Sequence, residues 1–166
     1  YINGHSGGNF LRYGGGTDAA SAATTHTFYT AALTTGAYEG TRRFYIHSDG
    51  NVAVGYTALY NMTGSSREAS SVHGRSVSVG FEANYYTTGK GNTSLGFRAG
   101  KGISTGTDNI AIGQMTMGHN TIRKTGDGNI AIGYNVLASA TTAAYNTIIG
   151  HSSGEHLTTG DNNTMI

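Results

Sequence analysis

NIAIGQMTM, residues 109 to 117, and NIAIGYNVL, residues 129 to 137, share the pentapeptide Asn-Ile-Ala-Ile-Gly. Related pentapeptides, opening with Asn or Ser and ending with an aliphatic residue and glycine, occur at 51–55, 76–80, 92–96 and 146–150, and an incomplete copy lies at 163–166. The glycines stand at positions 55, 80, 96, 113, 133 and 150, so the steps between them are 25, 16, 17, 20 and 17 residues. The sequence therefore predicts a repeat of 16 to 17 residues with two insertions.

Side chains within the pentapeptide alternate in character, which is typical of a short β-strand. The third position is usually Ala or Ser, although Ile148 and Met165 depart from this, and we expect the last coils to have different surroundings. We expect equivalent strands to stack in register about 4.8 Å apart, because the fourth position is aliphatic in every copy. These fourth residues are Val54, Val79, Leu95, Ile112, Ile132, Ile149 and Ile166.

The residues after each glycine predict a second short strand, led by an aromatic or large polar side chain and followed by a return turn. Thr-Gly-x-x-Asn occurs at 88–92, 105–109, 125–129 and 159–163, where glycine supplies positive φ and asparagine favours a turn. Stacked asparagines would form a ladder of side-chain hydrogen bonds. Two strands of about five residues and two turns of about three fill the repeat, so a two-sided roll is favoured.

The composition indicates an all-β chain with almost no helix. The sequence contains 27 glycines, no proline, cysteine or tryptophan, and only 11% charged residues. The net charge is +1 and the Lys and Arg residues are scattered, so the sequence contains no basic patch that would indicate nucleic-acid binding. No apolar run approaches the length of about 18 residues that a membrane span needs, and no signal peptide opens the sequence. The absence of cysteine is consistent with either an extracellular or an intracellular protein.

We expect two regions: a β-rich N-terminal module over 1–48 and, over 49–166, a β-roll or β-helix-like stack of 16- to 17-residue coils whose last repeat is truncated. A thin roll leaves one face bare, carrying either the small third-position residues or the aromatics. Sister chains in a closed symmetric oligomer would cover that face. A homotrimer is our expectation, partly on the resemblance described below.

The acidic and histidine residues do not indicate an active site or a metal centre. Most of the carboxylates lie in turns, no Gly-x-Ser-x-Gly elbow occurs, and cysteine chemistry is excluded, so we expect no enzyme and no catalytic residue. The seven histidines lack HExxH or His-x-His spacing, so we expect neither a metal site nor a cofactor. A histidine on a three-fold axis, which would supply three ligands, remains an alternative.

Two insertions, 62–75 and 117–127, interrupt the uniform repeat, and loops on a rigid scaffold often carry recognition. The sequence therefore predicts a binding surface there, together with Tyr85 and Tyr86, of which one must point outward and can stack on a sugar ring. A purely structural spacer is the alternative. The candidate residues in the insertions are Arg67, His73, Arg75, His119, Asn120, Arg123 and Lys124.

The repeated N-x-A-[VI]-G-[YF]-x-A resembles the head repeats of trimeric autotransporter adhesins, which form a left-handed parallel β-roll. The order of segments is still more similar to the distal region of bacteriophage tail fibres. RYGGGT at 12–17 comes first, ATTHTFYTAA at 23–32 follows, and TRRFYIHSDGNVAVGYTAL at 41–59 leads into the NIAIG repeats. The unit is longer than that of the adhesin heads, so the handedness stays open.

The tail-fibre resemblance implies a receptor-binding tip within an extracellular virion. Such repeats commonly precede a C-terminal intramolecular chaperone that drives trimerisation and then cuts itself off. The implied partner is a glycan or outer-membrane protein on the bacterial surface. An autotransporter adhesin head and a tailspike polysaccharide depolymerase are the two alternatives.

Overall fold

The computed structural model describes residues 25–30, 41–47, 50–61 and 74–166, with side chains from residue 43 to 46 and from residue 50 onward within those ranges. Most of the predicted N-terminal module, and Arg67 and His73 of the first insertion, lie outside them. The described strands are β1 (Thr25–Thr30), β2 (Thr41–His47), β3 (Val52–Val54), β4 (Val77–Val79), β5 (Thr93–Leu95), β6 (Ile110–Ile112), β7 (Ile130–Ile132), β8 (Thr147–Ile149) and β9 (Thr164–Met165).

These strands form one sheet in sequence order, which confirms the all-β, repetitive fold. Strands β1, β2 and β3 pair antiparallel, and from β3 onward each strand pairs parallel with the next. The parallel part is a β-solenoid of about five turns of roughly 17 residues. Strand β2 thus joins the N-terminal hairpin to the first coil, since Tyr45 lies opposite Ala53.

The predicted register of the repeats is confirmed. Aliphatic fourth-position residues lie opposite each other from coil to coil, and the two insertions are accommodated without shifting any strand. The ladder runs through Val54, Val79, Leu95, Ile112, Ile132 and Ile149.

The motif glycine ends each strand at a place where no side chain fits. Gly133 has a φ of 135°, and a Cβ placed on it would lie 1.9 Å from the carbonyl oxygen of Gly150 in the next coil. The motif glycines from Gly55 to Gly133 would all place a Cβ within 2.7 Å of the next coil, so these coils can close against their neighbours only when this residue is glycine.

The predicted second strand is wrong: the residues after each glycine form turns. In the third coil Arg98 and Gly100 both have positive φ, 56° and 64°, whereas a strand requires negative values. Arg98 donates its amide to Phe81 O in the preceding coil at 2.8 Å, and Gly100 donates its amide to Thr116 O in the following coil at 2.8 Å. Phe97 is 41% exposed whereas Ala99, two residues later, is fully buried, so side chains two apart do not share one side as they would in a strand.

The small third-position side chains point into the coil and form its core. Ala111, Ala131 and Ile148 are fully buried together with Val136 and Leu137 from the turns. The second- and fourth-position aliphatics instead form an outer strand face. The sequence does not decide whether the small third-position residues or the aromatics lie on the uncovered face. The small residues are buried, so the uncovered face does not carry them.

The departure at Ile148 is explained by a compensating glycine. Ile148 is fully buried where the preceding coil has Ala131. A Cβ on Gly154 would lie 2.8 Å from Ile148 Cδ1, so the larger side chain occupies space that the glycine leaves free. This supports the expectation that the last coils have different surroundings.

The predicted asparagine ladder is present at the start of the strands. Asn109 Nδ2 donates to Asn92 Oδ1 at 3.2 Å, Asn129 Nδ2 to Asn109 Oδ1 at 3.0 Å, and Asn146 Nδ2 to Asn129 Oδ1 at 3.0 Å. Each amide oxygen also accepts the backbone N–H of the next asparagine. The ladder thus satisfies buried polar groups inside a thin core.

Candidate ligand-binding surface

A tyrosine–cation cluster lies on the turn side of the first coils and consists of Tyr60, Tyr85, Tyr86, Lys101 and Arg123. Tyr60 and Tyr85 stack with ring centroids 4.8 Å apart, and Tyr86 meets Tyr85 edge-on at 4.7 Å. The Arg123 guanidinium lies 3.5 Å from the centroid of the Tyr86 ring, and Lys101 Nζ is 5.4 Å from that of Tyr85. Tyr60 is 48% exposed.

The repeat brings these residues together. Tyr60, Tyr85 and Lys101 each stand five residues after a motif glycine, so they stack in one column on successive coils. Tyr85, Tyr86 and Arg123 were predicted from the sequence, whereas Tyr60 and Lys101 were not. Counting from each glycine would have placed both beside Tyr85.

Glu82 forms ion pairs with Arg98 and with Lys101, which belongs to the cluster. Glu82 Oε2 accepts from Arg98 Nε at 2.7 Å and from Lys101 Nζ at 2.6 Å. Burial acts to raise the pKa of Glu82, but the hydrogen bonds and charges of Lys101 and Arg98 outweigh it, so the net shift is downward. Glu82 therefore stays ionised and fixes Lys101 beneath the tyrosines.

The second insertion carries Arg123 to the cluster. Its turn is held by His119, whose Nδ1 accepts the backbone N–H of Thr121 at 3.3 Å, and by Asn120 O, which accepts from Arg123 Nη1 at 2.8 Å. His119 and Asn120 are thus exposed residues that also shape the loop, and the structure brings Asn120 and Arg123 together.

Lys124 corrects the prediction of a surface contact. It is 1% exposed, and its Nζ donates to Ala138 O at 2.7 Å. Its backbone N–H donates to Gly102 O at 2.9 Å. Burial lowers the pKa of Lys124 to about 8, and the charge of Arg123 adds to this shift. Because its aliphatic stem packs inside the solenoid, Lys124 anchors the insertion while the adjacent Arg123 faces outward.

Arg75 lies away from the tyrosine–cation cluster, in a coil-edge cleft lined by Arg75, Lys90, Gly91, Thr107 and Asp108. The cleft has a volume of about 470 Å³ and is open to solvent. The structure therefore divides the predicted binding residues between two surfaces.

An aromatic ladder follows the motif glycines on the outside of the solenoid. Phe81 stacks between Tyr56 and Phe97 at 5.2 and 5.3 Å, and Tyr134 stacks on His151 at 4.9 Å. Tyr56, Phe81, Phe97 and Tyr134 are roughly two-fifths exposed, as are Val54 and Val77 of the outer strand face, and Leu95 is about half exposed. An exposed set of large apolar side chains of this kind is uncommon on a monomer and typical of an interface.

Comparisons with protein-family models, with curated proteins and with solved structures found no match for this chain. Within the described ranges, no group of three His, Cys, Asp or Glu side chains is arranged to hold a metal ion. The same part of the chain contains no helix of the length and hydropathy that crossing a bilayer would require.

Proposed function

We propose that the chain is a structural and receptor-binding segment of a trimeric bacteriophage tail fibre. The observation that supports it best is the bare outer strand face, on which Leu95 is 49% and Val77 39% exposed although both are strand residues in register with neighbours. Sister chains packed on this face would bury it, and a closed three-fold assembly leaves no further apolar edge. The tail-fibre resemblance of the sequence selects this assembly over other oligomers.

The receptor-binding part of the proposal rests on the tyrosine–cation cluster. Tyrosine rings offer apolar faces to the C–H groups of a sugar ring, and their hydroxyls, with Arg123, bond to its oxygens. A trimer presents three such clusters, so weak individual sites would reinforce each other on a cell surface. The ligand class is a bacterial surface glycan or a glycan-bearing outer-membrane protein.

The experiment is adsorption of the purified trimer to host cells and to a glycan array. Replacing Tyr86 by Ala and Arg123 by Gln is expected to reduce adsorption at least about tenfold, a loss of roughly 1.4 kcal/mol in the total free energy of adsorption. Thr142→Glu, at an exposed position outside the cluster, is the matched surface control. If the double variant binds as strongly as the unchanged protein, the spacer interpretation replaces receptor binding at this cluster.

The depolymerase alternative is less well supported by the described carboxylates. A glycosidase acid needs a raised pKa, whereas the pKa of Glu82 is lowered. Shortening of capsular polysaccharide by the purified protein would nevertheless establish that alternative. The adhesin-head alternative shares the fold and the trimer, and it differs in the cell that carries the protein.

A further inference from the structure

The coil-edge cleft arises from the alternation of glycine and larger residues at one position of the repeat. The residue directly before each motif has positive φ, and this column runs Gly50, Arg75, Gly91, Asp108, Gly128, Tyr145 and Asn162. Gly91 separates Arg75 from Asp108, and a Cβ there would lie 2.1 Å from Asp108 Oδ1. The Asp108 side chain therefore lies over Gly91, and the space towards Arg75 is the cleft.

The residues two positions before each motif asparagine show what the backbone amides at this edge of the coil bind. The amide of Thr107 donates to Asp127 Oδ1 of the next coil at 2.7 Å, and the amide of Ala144 donates to Asp161 Oδ1 at 2.8 Å. Lys90 occupies the same backbone position, because Asp108 N donates to Lys90 O at 2.9 Å just as Gly128 N donates to Thr107 O at 2.9 Å.

At Lys90, however, the next coil supplies Thr107 instead of an aspartate. Among the described residues, none accepts a hydrogen bond from the Lys90 amide. The Asp127 amide, opposite Ala144 of the next coil, likewise has no such carboxylate, but at Lys90 two cationic side chains, Arg75 and Lys90, line the same cleft. Neither cation forms an ion pair with a described residue.

We propose that the coil-edge cleft binds a carboxylated saccharide, whose carboxylate takes the place that Asp127 and Asp161 occupy in other coils. The carboxylate accepts the Lys90 amide N–H and lies beside the Arg75 guanidinium, a charge-assisted arrangement. Asp108 accepts hydrogen bonds from ring hydroxyls of the same ligand, which a bare phosphate does not offer. The volume of about 470 Å³ falls in the range of small-ligand sites. The choice of a saccharide rests on the proposed function; the anion site does not.

Amide NMR on the isotope-labelled protein tests the site with three probes: digalacturonate, the matched neutral galactose disaccharide, and inorganic phosphate. Digalacturonate is expected to shift the Lys90 amide saturably, with affinity at least about tenfold above that of either other probe. No saturable shift with digalacturonate would overturn the proposal. An equal affinity for phosphate would overturn the assignment to a sugar acid and leave a general oxyanion site.

Thr107→Asp is the decisive variant, since it supplies from within the chain the carboxylate found at positions 127 and 161. We expect it to shift the Lys90 amide without ligand and to weaken digalacturonate binding at least about tenfold. Ala144→Asp adds the same charge to the same column away from the cleft, and it should leave binding unchanged. Full digalacturonate affinity in Thr107→Asp, with its fold intact by circular dichroism, would contradict the assigned position.

Receptor binding at the tyrosine–cation cluster and anion binding at the coil-edge cleft can be refuted independently of each other. Arg75→Gln should abolish the digalacturonate response and leave the Tyr86 and Arg123 environment unaltered. Loss of cell adsorption in the tyrosine–cation variants, with digalacturonate binding retained, separates the cluster from the cleft. A trimer that adsorbs to no cell yet binds digalacturonate would refute the receptor function but not the anion site.

Discussion

Lys124 places an ammonium group inside the solenoid, where its Nζ has Ala138 O as partner. An ion that far from water is costly, and the carbonyl recovers only part of its hydration. Its pKa of about 8 is well below the ordinary 10.5, because the folded chain favours the neutral amine. Below pH 8 the lysine is protonated in both folded and unfolded states, so the full cost of burial is present.

We predict that the free energy of unfolding rises with pH between 8 and 10.5 more steeply in the unchanged protein than in Lys124→Met. In this window the folded lysine releases its proton while the unfolded one retains it, so the unfolded state binds more protons and stability increases. The difference should reach on the order of 1 to 3 kcal/mol above pH 10.5. Urea unfolding across this window measures it, and parallel curves for both proteins would contradict the lowered pKa.

At the scale of the structural element, the glycine that closes each strand sets how tightly the coils stack. Gly133 and Gly150 have nearly the same backbone, with φ of 135° and 132°. A Cβ on Gly133 would lie 1.9 Å from Gly150 O, whereas on Gly150 the nearest atom is Ser153 Cβ at 3.5 Å. An alanine at either position would therefore have the same unfavourable φ. Only at Gly133 would its methyl group clash with the next coil.

We predict that Gly133→Ala lowers the free energy of unfolding by about 2 kcal/mol more than Gly150→Ala does. Both variants suffer the unfavourable φ, so the difference isolates the contact between coils. Thermal and urea denaturation measure it. Equal losses in the two variants would show that backbone conformation alone requires the glycine.

For the whole molecule, the outer strand face and the aromatic ladder are the surfaces that the proposed trimer would cover. A single chain leaves Leu95 49% and Phe97 41% exposed. Burial of apolar area contributes roughly 25 cal/mol per Å², so covering the exposed residues of several coils would favour the proposed assembly.

We predict that the protein sediments as a trimer and that Leu95→Glu dissociates it, because an unpaired carboxylate would have to be buried between chains. Thr142→Glu, exposed and away from this face, is the control and should remain trimeric. Analytical ultracentrifugation at micromolar and lower concentrations distinguishes the two. An unchanged protein that remains monomeric and folded would refute the proposed assembly.

Much of the fold could be predicted from the repeat alone. The spacing of Asn-to-Gly segments determined the coils, their register and the asparagine ladder, since stacking forces equivalent residues into line. The turns after each glycine were mistaken for a strand, because an aromatic followed two places on by a small residue imitates strand alternation, although Phe97 is exposed and Ala99 is buried. Lys124 was misplaced for a related reason: its charge indicates the surface, and only the packing of its stem shows the interior.

By itself, therefore, the sequence determined an all-β solenoid with its unit length, its ladders and the positions of its insertions. The tertiary structure decided which face is bare, because only the closure of the coil turns Ala111 and Ala131 inward and leaves the aliphatics of the same strands outside. It also decided which distant residues meet. Arg123 contacts Tyr86 from two coils away because the buried Lys124 holds its loop, and the cleft beside Lys90 exists because stacking places Gly91 between Arg75 and Asp108.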